Sequence, residues 1–105
     1  MVAKDFERLF DRRVGACREV MIEKAKEYAS EDDRLHNFER GADFLKQNPS
    51  TVCLNYMTKH LVSIYDIVQG EEQVTQALLD EKIGDAINYL ILLEACLVDE
   101  GVFCK

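Results

Sequence analysis

Proline occurs once and glycine five times in 105 residues, and tryptophan not at all. So small a supply of chain breakers leaves long stretches free to stay helical, and it argues against a fold of many short strands and tight turns. No segment alternates apolar and polar residues with the period of two that a half-buried strand needs; residues 63–68 hold β-branched side chains but keep a helical period. A long uninterrupted apolar run is also missing. The longest, residues 86–98, is broken by Asn88 and Glu94 and is too short to cross a bilayer. The opening MVAKDFERLF places charges where a secretory leader needs an apolar centre, so the chain reads as cytoplasmic, with no membrane contact. Basic residues are the minority, 13 against 20 acidic, which gives a net charge of −7. That balance repels nucleic-acid phosphates and anionic lipid, and it argues against direct nucleic-acid binding.

The four cysteines, Cys17, Cys53, Cys96 and Cys104, show none of the close spacings of a zinc site or a disulfide framework. Three of them fall on apolar helix stripes, where a reduced thiol acts as a small core hydrophobe.

What the chain does contain is helical periodicity. Phe6, Leu9, Phe10, Val14, Cys17, Val20, Met21, Ala25 and Tyr28 recur every three or four residues and predict one amphipathic helix over 5–30 with its stripe toward the core. Ser30 to Asp33 is a polar break whose Ser and Asp side chains suit a helix start. A shorter helix over 35–47 follows on Phe38, Ala42 and Leu45, with Gly41 a possible early stop and Arg34, His36 and Asn37 clustered at its entrance. Asn48 and Pro49 make a favoured opening for a third helix, lined by Cys53, Met57, Leu61, Ile64 and Val68 and stopped at Gly70. After an acidic connector, residues 80–99 form the central strut, apolar in almost every direction over the second half. A helix of that kind must be enclosed by other helices or by a second subunit. The expected architecture is a single all-α domain, 1–105: an antiparallel helical bundle of three long helices plus one short helix, paired as a homodimer through Tyr89, Ile91, Leu93 and Leu97.

Chemistry concentrates on the strut. Glu81, Asp85 and Asn88 are spaced i, i+4, i+7, on one face that runs into Leu92 and Cys96 and therefore points inward. Inward carboxylates need a cationic partner, and oxygen ligands of this type suit a hard divalent ion such as Mg²⁺. The competing reading is that both acids simply benefit from lying near a helix N-terminus. Counting outward from the turn between the last two helices sets His60 opposite Asp85, with Lys59 at the same level. His60 is then a metal ligand, an acid–base group or a phosphate contact, or else a structural histidine bonded to Asp85. Glu19, Glu23 and Glu27 line one face of the first helix, and Glu23 and Glu27 are further candidate ligands. No nucleophile motif or phosphate-binding glycine loop is present.

The run EKIGDAINYLILLEA resembles the second metal-binding helix of the all-α nucleoside triphosphate pyrophosphohydrolases, the MazG-like group, over about twenty residues. Nearly the whole chain, including KAKEYASEDDRLHNF and MTKHLVSIYDI, also looks like small phage and prophage proteins of Gram-positive bacteria. The first resemblance implies Mg²⁺ held by Glu81 and Asp85, Asn88 as a nearby polar contact, and hydrolysis of a nucleoside triphosphate to monophosphate and pyrophosphate. Lys59 or Arg34 would then offset developing charge. The chain departs from that family in two ways: its acidic pair is spaced i, i+4, and the preceding helix offers Lys59, His60 and Asp66 in place of a Glu-x-x-Glu pair. Two other functions fit the same sequence, a non-catalytic interaction or accessory protein assembling through its last helix, and an acidic mimic of nucleic acid.

Overall fold

The computed structural model describes residues 1–28, 33–70 and 73–101, without the side chain of Tyr28. The expected end of the first helix at 29–30, most of the polar break after it, part of the acidic connector, and Phe103 and Cys104 lie outside the described residues. Four helices follow in order: α1 (Ala3–Tyr28), α2 (His36–Leu45), α3 (Pro49–Val68) and α4 (Gln76–Asp99), with no strand among the described residues. The all-α bundle of three long helices and one short one is thus what the periodicity predicted. No helix among these residues is long and apolar enough to cross a membrane.

The punctuation works as local chemistry requires. Thr75 caps α4, its hydroxyl accepting from the Leu78 amide at 3.1 Å. Pro49 stands in the first turn of α3, where its missing N–H costs nothing. Gly70 follows α3 with φ 79°, a conformation that a side chain resists. Gly41 does not stop α2 early; the helix runs to Leu45 and closes at Lys46 with φ 55°. Asn48 stands at the cap of α3 with the extended backbone a cap requires, although its side chain makes no capping bond.

The core gathers Leu35, Phe38 and Ala42 around α2, Val52 and Cys53 from α3, and Cys96 from α4, with Tyr89, Leu92 and Leu93 packed against them. α3 and α4 run antiparallel. Cys53 donates its thiol to the Tyr89 carbonyl at 3.5 Å, and Ser50, at the start of α3, donates its amide and hydroxyl to the Glu100 carboxylate at 2.9 and 2.8 Å. That carboxylate neutralises the positive end of α3. α1 instead runs parallel to α4, so the bundle is not antiparallel throughout as expected: Arg12 and Arg13 meet Asp80, and further along the Cys17 thiol donates to the Gly84 carbonyl at 3.7 Å. Gly84 permits this approach, since a Cβ there would stand 3.2 Å from the Arg13 guanidinium.

The apolar stripe of α1 is only partly covered. Cys17 is buried, and Met21 and Ala25 are half-buried, but Phe6, Leu9, Phe10 and Val14 are each more than half exposed. With Arg12 already level with Asp80, the segment ahead of it extends past the start of α4. The strut is likewise open on one side: Tyr89 and Leu93 pack on the core, whereas Leu90, Ile91, Leu97 and Val98 are exposed. Cys17, Cys53 and Cys96 are buried free thiols, as their stripe positions predicted.

Candidate functional site

The inward face of α4 opens onto a cavity of about 570 Å³ bounded by all four helices and by Arg34, ahead of α2. Glu81, Asp85 and Asn88 form its α4 wall, and Lys59 and His60 face it from α3. Five of the seven residues singled out in the sequence therefore line one space. Glu23 and Glu27 do not line it. Glu23 is exposed and pairs with Lys26 at 3.3 Å, and Glu27 is exposed, so α1 turns neither carboxylate toward Asp85. What α1 contributes is Lys24, flanked by Val20 and Met21.

His60 and Asp85 face each other at the level that counting from the turn predicted, with Nε2 3.9 Å from Oδ2. His60 is 6% exposed, and its ring stands 5.4 Å from that of Tyr89. Burial pushes the imidazole below its usual range; Asp85 pulls the other way, and Lys59, Lys82 and Lys24 reinforce the burial effect. The ring is accordingly neutral near pH 7. Its Nδ1 is buried with no hydrogen-bond partner among the described residues.

Asn88, 7% exposed, donates Nδ2–H to the Cys17 carbonyl at 3.1 Å, which fixes the orientation of its amide. Its Oδ1 is left buried without a partner. Asp85 keeps about a sixth of its side chain in contact with solvent, whereas Glu81 is mostly exposed and pairs with Lys82 at 3.3 Å. The inward trio is real for Asp85 and Asn88, while Glu81 stands at the mouth.

The opposite walls carry Lys24, Arg34 and Lys59. Arg34 directs one guanidinium nitrogen to the Met21 sulfur at 3.1 Å. Three cations against two carboxylates make the cavity net positive at neutral pH, inside a chain of net charge −7. Aromatic rings complete it: Phe38 and Tyr56 with centroids 6.0 Å apart, and Tyr89 beside His60. Lys24, Asn55 and Tyr56 were not expected at the site. The signal was nonetheless present, because Lys24 follows Val20 by one turn and Lys59 and His60 follow Asn55 and Tyr56 by one turn.

One further cluster stands elsewhere. Ligand atoms of Asp33, His36 and Glu39, at the entrance to α2, all lie within 4.8 Å of one another. The Asp33 carboxyl is held below its usual range by a hydrogen bond with Glu39, and the same bond raises Glu39. Asp33 also accepts from the Leu35 amide at 3.0 Å.

The chain matches no protein-family model, and searches of curated proteins and of solved structures find no match to it.

Proposed function

We propose that the cavity binds a nucleoside phosphate together with Mg²⁺, and that the chain is a metal-dependent, cytoplasmic nucleotide pyrophosphohydrolase-like protein. The observation that carries this reading is the charge of the site. In a chain of net −7, the one polar cavity described above is net positive, with cations on one side and carboxylates on the other. A nucleotide with its counter-ion has the matching polarity. Lys24, Arg34 and Lys59 meet phosphate oxygens, Asp85 and Glu81 hold the ion, and Phe38, Tyr56 and Tyr89 offer faces for a base.

The donor set fits a hard cation that keeps much of its water, since it supplies two carboxylates rather than a closed cage. When bound, such an ion clamps phosphate oxygens and offsets the charge that builds up during hydrolysis. The remaining work falls to the chain's own groups. Lys59 stands on the helix where the resembled family carries its first acidic pair, and it supplies positive charge in its place. His60, beside Asp85, is the candidate acid–base group of the site.

The test is thermal melting with Mg²⁺ or Mn²⁺, alone and with nucleoside triphosphates. A ligand at one hundred times its dissociation constant adds about 2.7 kcal/mol to the folded state, a shift of about 10–20 °C for a domain of this size. Asp85→Ala abolishes Mg²⁺-dependent release of pyrophosphate. No shift with any metal or nucleotide overturns the proposal.

The uncovered apolar faces favour a second reading, a helical interaction protein that pairs with its own copy. Phe6, Leu9, Phe10 and Val14 on α1 and Leu90 and Ile91 on α4 are all more than half exposed. Under this reading Asp85→Ala leaves association intact, and light scattering at micromolar concentration reports a dimer. The two readings are compatible, and a monomeric mass overturns the second alone.

A further inference from the structure

The cavity occupies one side of the α3–α4 pair, and the other side is bare. On α3 the inward stripe runs through Cys53, Met57 and His60, and Tyr56 and Lys59 turn from it toward the cavity. At about 100° per residue, Leu54, Leu61, Tyr65 and Val68 fall on the opposite flank. On α4 the cavity flank is marked by Glu81, Asp85 and Asn88, and Ile83, Leu90 and Leu97 lie on the other. Because the two helices run antiparallel, these far flanks join in one surface. α1 meets α4 at Gly84 and Asn88, and α2 meets α3 at Val52 and Tyr56, so among the described residues neither helix covers it.

Its pattern is that of a helix-packing face. Leu54, Thr58, Leu61, Tyr65 and Val68 follow one another in steps of four and three, and Ile83, Ile87, Leu90, Glu94 and Leu97 repeat those steps. This is the period with which one helix lies along another in a left-handed supercoil. The seven apolar residues on the far flanks are between 36% and 74% exposed, and Glu94 is the one charge in either stripe, in a chain 31% charged. Half the surface of seven such residues is roughly 700 Å², above the roughly 300–600 Å² of the largest apolar patch on a typical monomer and close to the roughly 800 Å² that each partner gives to a standard interface.

The occupant that fits is a second copy of the chain. Both helices carry the same repeat over the same length, from 54 to 68 and from 83 to 97, so the face can meet itself about a two-fold axis. Copies of net charge −7 repel each other over most of their surface, and this almost uncharged face is where they can approach. Building on the second reading above, we infer that the far face of α3 and α4 is a self-association surface separate from the α1 stripe. One such surface closes a dimer, and two on the same chain close a tetramer. Pairing through the far face leaves the cavities on opposite sides of the assembly, open to ligand.

Sedimentation velocity of the full chain, from micromolar to hundreds of micromolar, tests the inference. The wild type is expected to pass from dimer to tetramer as concentration rises. Leu61→Glu with Tyr65→Glu stops at the dimer with unchanged helix content by circular dichroism, the dissociation constant of the second step rising at least about tenfold. Val68→Glu, at the most exposed position of the set, weakens the same step and keeps the test open if the double variant does not fold. Phe6→Ser with Phe10→Ser still forms the far-face dimer at high concentration. A wild-type dimer that only the Phe6 and Phe10 changes dissolve, or a tetramer indifferent to Leu61, Tyr65 and Val68, overturns the inference and leaves the second reading standing. A mass that ignores these variants, with flotation on neutral lipid vesicles that they abolish, gives the face to a membrane surface and also overturns it. A monomer at every concentration overturns both.

Discussion

Replacing Asn88 with leucine should make the protein more stable, and the size of the effect follows from the contacts. Leucine keeps the branching of asparagine at Cγ and has the cavity to expand into. The substitution deletes the 3.1 Å bond from Nδ2 to the Cys17 carbonyl, a loss of about 1 kcal/mol. That carbonyl lies within α1, so the helix still supplies it with a donor. The substitution also removes the buried, unbonded Oδ1, which relieves about 1–3 kcal/mol, and places apolar surface where a polar group was. The net gain is about 1 kcal/mol. For a chain of this length that raises the melting midpoint by roughly 4–8 °C in differential scanning calorimetry. A variant that melts lower than the wild type refutes the reasoning, because Asn88 would then be held by the packing between α1 and α4.

The remaining predictions concern other groups. Burial lowers the His60 pKa below its usual 6.5, so the unfolded chain takes up the proton first: stability is full above about pH 6.5 and declines as the pH falls below it, a slope that His60→Gln flattens in melts across pH 5–7. Asp80 accepts from Arg12 at 3.2 Å, from Arg13 at 2.8 Å and from Gln76, and the Arg12 bond is foremost in holding its carboxyl at about 2. The stabilisation it gives is present above pH 3.8 and lost as the pH falls toward 2; Asp80→Asn removes that acid-sensitive part and speeds amide exchange along α1, and 1 M salt weakens the wild-type effect. Burial pushes the Cys53 thiol up to about 12 and raises Cys96, so neither is alkylated by iodoacetamide at pH 8 until the chain unfolds, as peptide mapping will report. Phe6→Ser with Phe10→Ser converts a dimer to a monomer in light scattering without changing the helix content, since both side chains are more than half exposed in the single chain.

How much of this was legible in the sequence depends on what each inference required. Helix existence needed only periodicity and punctuation, and Pro49 and Gly70 stand where those signals put them. The facing of His60 and Asp85 was legible for a stronger reason. A short connection makes two helices antiparallel, and equal counts from the turn then predict neighbours, here 3.9 Å apart. No such count relates α1 to that pair. Its residues reach the cavity through a crossing whose rotation is set by packing at Cys17 and Gly84, so Glu23 and Lys24, one position and about 100° apart on the helix, were indistinguishable by charge spacing alone. The apolar neighbours Val20 and Met21 favoured Lys24, and the search for carboxylate ligands favoured Glu23; packing decided. The exposed stripe from Phe6 to Val14 illustrates a different limit. Amphipathicity tells which face seeks cover, but not whether the same chain supplies it. The substitution of Lys24 for an acid has a direct consequence for the chemistry. A site with four carboxylates must recruit metal before it can accept phosphate, whereas one with Lys24, Arg34 and Lys59 opposite Asp85 already attracts phosphate without it. Nucleotide affinity should therefore persist in EDTA and be only strengthened by Mg²⁺, while turnover requires the ion. A strict requirement for metal in binding would show that the cations face solvent rather than ligand.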